Sequence, residues 1–78
     1  MYKAEIKIVQ KKLGKKIKNT RTEKRITQEK LAEKVGINRE HMSNIETGKK
    51  FPSLSMLITL SFVLDIELYE LFDFSREY

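Results

Sequence analysis

The sequence predicts an all-α fold, a compact five-helix domain, on three observations. The chain has 78 residues, enough for one core and too few for two domains. Apolar residues recur every three or four positions in successive short segments. The three glycines and one proline stand between those segments, where they punctuate helices.

The first helix is expected over residues 10–25. Leu13, Ile17 and Arg21 recur on one face with lysines around the rest. Ile6 and Val9 continue the stripe, so residues 3–9 either extend this helix or form a frayed arm. The second helix should start at an N-cap, Thr27, with Glu29 in its first turn. It should end near Val35 and turn Leu31, Ala32 and Val35 inward. The third should start after an Asn38 cap and run to Thr47, with Met42 and Ile45 inward. Gly36 and Gly48 follow these two helices, where the residue after a helix needs positive φ. Pro52 starts a new element and suits the first turn of a helix or the turn before it; the fourth helix is expected to start at Ser53 or Leu54 and to end near Leu64. There Leu54, Leu57, Ile58, Leu60, Ser61 and Leu64 share one arc, expected to face the first three helices. A fifth helix is expected over residues 67–72. There are no repeats, low-complexity tracts or internal linkers.

Composition excludes several functions. Cysteine is absent and histidine occurs once, so no disulfide framework, metal site or cofactor is expected. There is no Gly-rich phosphate loop and no thiol nucleophile, which argues against an enzyme. The start of the chain has no continuous apolar signal segment, and no apolar run approaches a membrane span. The chain therefore reads as soluble and cytoplasmic. A net charge of +5 asks for an anionic partner, and that charge is unevenly placed. Residues 1–50 hold 15 Lys/Arg against 6 Asp/Glu, net +9, and residues 51–78 hold 1 against 5, net −4.

The informative segment is residues 28–45, two short helices joined by a turn of about three residues around Gly36. Small Ala32 lets the pair cross closely, while Leu31, Val35, Ile37, Met42 and Ile45 tie it to the other helices. A helix-turn-helix needs this arrangement, a rigid tripod that pushes one helix outward.

On these residues the sequence resembles the Cro/CI-type (XRE) helix-turn-helix domain of phage repressors and bacterial regulators. The resemblance covers about residues 13–73. It is carried by Leu13-Gly14-x-x-Ile17, Arg21, Thr27-Gln28-x-x-Leu31-Ala32, Val35-Gly36-Ile37, Ile45-Glu46-x-Gly48, Pro52-Ser53-Leu54 and Leu68-x-x-Leu71-Phe72. It implies a lambda-repressor-like fold, with residues 1–12 an N-terminal extension or the start of the first helix and residues 74–78 a tail. Asp65 and Glu67 depart from the Gly and capping Ser frequent in the family, and Ser61 replaces its usual alanine.

The resemblance further implies that residues 38–47 are the recognition helix, lying in the major groove of double-stranded DNA. Arg39, Glu40 and Asn44 are expected to face the bases. The chemistry agrees: arginine bridges guanine O6/N7, asparagine pairs with adenine N6/N7, and glutamate accepts from cytosine N4. Thr27, Gln28, Ser43, Lys49 and Lys50 are expected at phosphates. Arg21 and Glu46 are expected to form an internal ion pair that braces the motif. His41 is expected at the groove edge or against the second helix, not as a metal ligand.

The acidic C-terminal third is expected to pair two copies of the chain. The fourth helix is apolar nearly all round, and such a helix is buried on more than one side. Met56, Phe62, Val63, Tyr69 and Phe74 are the expected dimer contacts, with Tyr78 joining them; the alternative is that these aromatics close a single core or are scattered exposed residues. Two recognition helices about 34 Å apart read a palindromic operator. The leading expectation is a sequence-specific transcriptional regulator, a repressor or autoregulator. The competing one is a protein-interaction module, such as an antitoxin-like partner of another protein, using the apolar C-terminal surface.

Overall fold

The structure, a computed structural model, describes residues 3–75. Helix α1 spans Lys3–Glu23, α2 Gln28–Val35, α3 Arg39–Glu46 and α4 Leu54–Leu64; a 3-10 helix follows at Leu68–Phe72. Among the described residues the α-helices therefore number four, not the expected five. The last segment winds more tightly, as a five-residue 3-10 helix. Leu71 is fully buried, Leu68 packs against the core one three-residue turn earlier, and Phe74 packs there from beyond the helix. Glu67 and Glu70 close a capping box at its start, with the Glu67 N–H donating to Glu70 Oε2 at 2.7 Å. Residues 76–78, including Tyr78 and most of the expected 74–78 tail, lie outside the described residues.

Residues 3–9 extend α1 as helix rather than forming an arm. The N-caps of α2, α3 and α4 are Thr27, Asn38 and Ser53. Their side chains accept from the N–H groups of Lys30, His41 and Met56 at 3.1, 2.8 and 3.1 Å.

All four α-helices end in the same motif. A left-handed residue follows each, at Arg25, Gly36, Gly48 and Asp65. The next N–H reaches five residues back: Ile26 to Arg21, Ile37 to Ala32, Lys49 to Asn44 and Ile66 to Ser61, at 2.8–3.1 Å. Two of these positions are the glycines the sequence points to. The other two carry an Arg and an Asp, and the left-handed Arg25 is why α1 stops at Glu23, short of the expected end at residue 25.

The core is shared by all the elements. Leu13 and Ile17 of α1, Leu31 of α2, Met42 and Ile45 of α3, Leu60 and Leu64 of α4, and Leu71 are fully buried. Gly14 lets α1 cross the end of α3 backbone to backbone: a Cβ there would collide with the Ile45 carbonyl and lie 2.7 Å from that of Glu46.

The rotation of α4 differs from expectation. Leu57, Leu60, Ser61 and Leu64 are buried, but Leu54 and Ile58, expected to face inward, are exposed. Met56 and Val63, expected on the outer side, pack against the core instead. The buried sector is thus turned away from Leu54 and Ile58 and toward the Met56 and Val63 flank. Leu54, Ile58 and Phe62, four residues apart, line up as an exposed apolar stripe.

Candidate nucleic-acid interface

Helices α2 and α3 are joined by Gly36, Ile37 and Asn38. Gly36, at φ +80°, ends one helix, and Asn38 caps the next. With Met42 and Ile45 fully buried, the 100° step of a helix turns Glu40, Asn44 and Thr47 to the opposite side. Arg39 and Ser43 flank that side on one edge and His41 on the other.

The structure brings several of the expected residues together. Glu40, Asn44 and Lys50 line one shallow cleft of about 220 Å³, with Asn38 and His41. The backbone of the following loop is fastened to the helix at that point. The N–H groups of Lys49 and Lys50 both donate to the Asn44 carbonyl, at 2.8 and 3.1 Å. Both lysines are exposed, as are Arg39 and Glu40; Ser43 and Asn44 are half-buried. His41 is exposed in the same cleft rather than packed on α2, and it belongs with the outward set. The signal was present in the sequence, since His41 stands three residues before Asn44, one turn along the same face.

Beneath the outward face lies a polar brace. Arg21 of α1 forms a two-pronged ion pair with Glu46 at the end of α3, Nε to Oε2 at 2.7 Å and Nη2 to Oε1 at 3.1 Å. Its remaining nitrogen donates to the Ile26 carbonyl at 2.8 Å. Gln28 adds a third element, its amide donating to Glu46 Oε1 at 3.0 Å. The side chains of Arg21 and Glu46 are 9% and 1% exposed, so these hydrogen bonds replace water around buried charge. The bonds lock α1, α3 and the start of α2 into one orientation. Gln28, expected at a phosphate, is thus held half-buried by this brace, whereas the neighbouring Thr27 is exposed.

The expected dimer residues divide. Phe62 and Tyr69 are 81% and 71% exposed, whereas Met56, Val63 and Phe74 pack against the core. The ammonium of Lys12 lies 5.9 Å from the centre of the Phe74 ring, a cation–π distance. An open groove of about 450 Å³ runs between α4 and the 3-10 helix, walled by Ile58 and Phe62 and rimmed by Asp65, Glu67 and Glu70. Among the described residues no group of acidic or histidine side chains could hold a metal, and no helix is long and apolar enough to cross a membrane.

Comparison with known proteins places the chain among others of this architecture. A family model described as a helix-turn-helix domain matches residues 14–78. The ImmF control region 10 kDa protein of Bacillus phage phi105 is 36% identical over 58 residues, 74% of this chain; the match spans 64% of that protein, just under two thirds of its length. Two solved structures superpose well. The restriction-modification controller protein C.AhdI from Aeromonas hydrophila gives a TM-score of 0.79 at 34% identity, covering 83% of this chain and 94% of that one. SinR, a master regulator for biofilm formation solved in complex with DNA, gives 0.73 at 37% identity, covering 78% and 98%.

Proposed function

The chain belongs to the helix-turn-helix domain family, in its Cro/CI (XRE) branch, and on that premise we propose that it is a sequence-specific double-stranded DNA-binding transcriptional regulator. It acts in the cytoplasm as a repressor or autoregulator, with α3 in the major groove. The observation that carries this reading is the outward face of α3. Glu40 and Asn44 stand opposite the buried Met42 and Ile45, beside Lys50 in one cleft, on a helix held by the Arg21–Glu46 pair. Base reading needs side chains presented on a rigid element; phosphate contacts need only nearby cations. Arg39 and His41 complete the reading set. Thr27, Gln28, Ser43, Lys49 and Lys50 bind the flanking phosphates, with Gln28 doing so through the part of its amide not engaged by Glu46.

The regulator acts as a homodimer on a palindromic operator. The exposed stripe of Leu54, Ile58 and Phe62, together with the exposed Tyr69 of the 3-10 helix, supplies the apolar surface for a two-fold interface. Pairing through it sets two α3 helices about one DNA turn apart.

Selection of bound duplexes from a random pool tests the reading. The expected product is an inverted repeat with half-sites about 10 base pairs apart, centre to centre. Failure to enrich any sequence would overturn DNA reading and favour the protein-interaction module, whose binding through the apolar C-terminal surface would persist at high salt.

A further inference from the structure

Helix α1 is longer than the family-matched segment requires. Its first eleven residues, from Lys3 to Leu13, precede that segment and carry four lysines against one glutamate. Lys3, Lys7 and Lys11 are four residues apart and all exposed. Each step of four advances about 6 Å along the axis and only about 40° around it. The three lysines therefore form one ridge.

Two close approaches orient that ridge. Gly14 falls in the same angular sector of α1 and meets the carbonyls at the end of α3. One turn earlier the Lys11 backbone meets the loop after α3: a Cβ on Gly48 would lie 2.8 Å from Lys11 Cα. The sector of α1 that faces the end of the recognition helix is thus the sector that bears the ridge. Lys49 and Lys50 follow Gly48 directly, so the basic loop and the ridge are continuous. Lys7 and Lys3 carry positive charge about 6 and 12 Å beyond the loop's contact with α1.

We infer that Lys3 and Lys7, on the N-terminal extension of α1, bind phosphates of the DNA backbone beyond those met by Lys49 and Lys50, and so lengthen the footprint of each half-site. The inference rests on the DNA-binding reading above. Double-stranded DNA suits the ridge because its phosphates form a continuous anionic track, one charge per about 1.7 Å of axis counting both strands. A row of cations about 6 Å apart on a rigid helix can follow such a track without reading any base.

The experiment compares the native chain with a Lys3→Gln/Lys7→Gln double variant, and with Lys7→Glu as a second substitution, on the selected operator. Two duplexes are used, one trimmed at the outer edges of the half-sites and one carrying about 10 further base pairs on each side. The expected result is a plot of log affinity against log salt shallower by about 0.9 per lysine removed, on the longer duplex only, with base preference unchanged. An unchanged slope on the longer duplex overturns the inference, and so does an equal loss on both duplexes. Loss of binding to phosphatidylserine vesicles with the DNA slope intact would assign the ridge to a lipid surface and overturn it too. If the native chain enriches no DNA sequence, the DNA-binding reading itself fails, an outcome distinct from these.

Discussion

At Asn44 two roles meet in one residue. Its carbonyl holds the basic loop through the Lys49 and Lys50 N–H groups, while its side chain lines the outward cleft. Asn44→Ala keeps the backbone role and removes the amide. It is expected to cost about 1–3 kcal/mol of operator binding and to relax preference at one base position, read by competition against single-base operator variants. A uniform loss across all sequences would remove Asn44 from the base contacts. Arg21 differs, because its charge is buried and serves the fold. Arg21→Ala leaves Glu46 buried without its cation and should lower unfolding free energy by about 3–5 kcal/mol, measured by urea denaturation. Asp65 sits at φ +56°, where a side chain is strained and glycine is not. Asp65→Gly relieves that strain but loosens the unfolded chain; the net expectation is a gain of about 0.5–1 kcal/mol in the same assay. Gly36 and Gly48 made two left-handed turns legible in the sequence. Arg25 gave no such signal, and at Asp65 the only one was the Gly frequent at that position in the resembling family; at both, the helix-end hydrogen bonds impose the conformation in spite of the residue type.

At the scale of elements, legibility followed amphipathicity. Helices α2 and α3 have polar residues on one side and apolar residues on the other, and their inward residues were read correctly. Helix α4 has apolar residues on nearly every side, so periodicity alone leaves its rotation open. Packing set the angle: Met56 and Val63 joined the core, and Leu54, Ile58 and Phe62 were left outside. The 3-10 helix was likewise misread as α because five residues offer too little pattern to separate periods of 3.0 and 3.6. The exposed stripe on α4 yields a test of the dimer. Phe62→Ser changes a side chain that is 81% exposed, so monomer stability should stay within about 0.5 kcal/mol. Sedimentation at micromolar concentration should nevertheless shift from dimer to monomer. An unchanged sedimentation profile would place the pairing surface elsewhere.

Across the whole molecule, the net charge of +5 conceals a polarity. The +9 portion carries the brace, the outward helix and the basic loop, and the −4 portion carries the apolar stripe and the acidic groove. In the proposed DNA-bound dimer the acidic ends would meet away from the phosphates, and this polarity would favour one docking orientation over its reverse. Lys50→Ala is expected to weaken binding to all duplexes and to reduce the salt slope by about one, measured by titration at several salt concentrations. An unchanged slope would take Lys50 off the backbone.

The sequence alone determined the N-caps of α2 and α3, the glycine turns, the inward faces of α2 and α3, and the family resemblance. These are local or periodic properties, set by hydrogen bonds and apolar spacing within a few residues. Only the tertiary structure decided that Gln28 is tied to Glu46, that Leu54 and Ile58 are exposed, and that Lys11 lies against the loop after α3. Each of those depends on groups 18 or more residues apart, or on which face of an all-apolar helix finds a partner. Packing settles such matters because a buried charge must be hydrogen-bonded and a core must be filled, and neither demand is written in the spacing of any one segment.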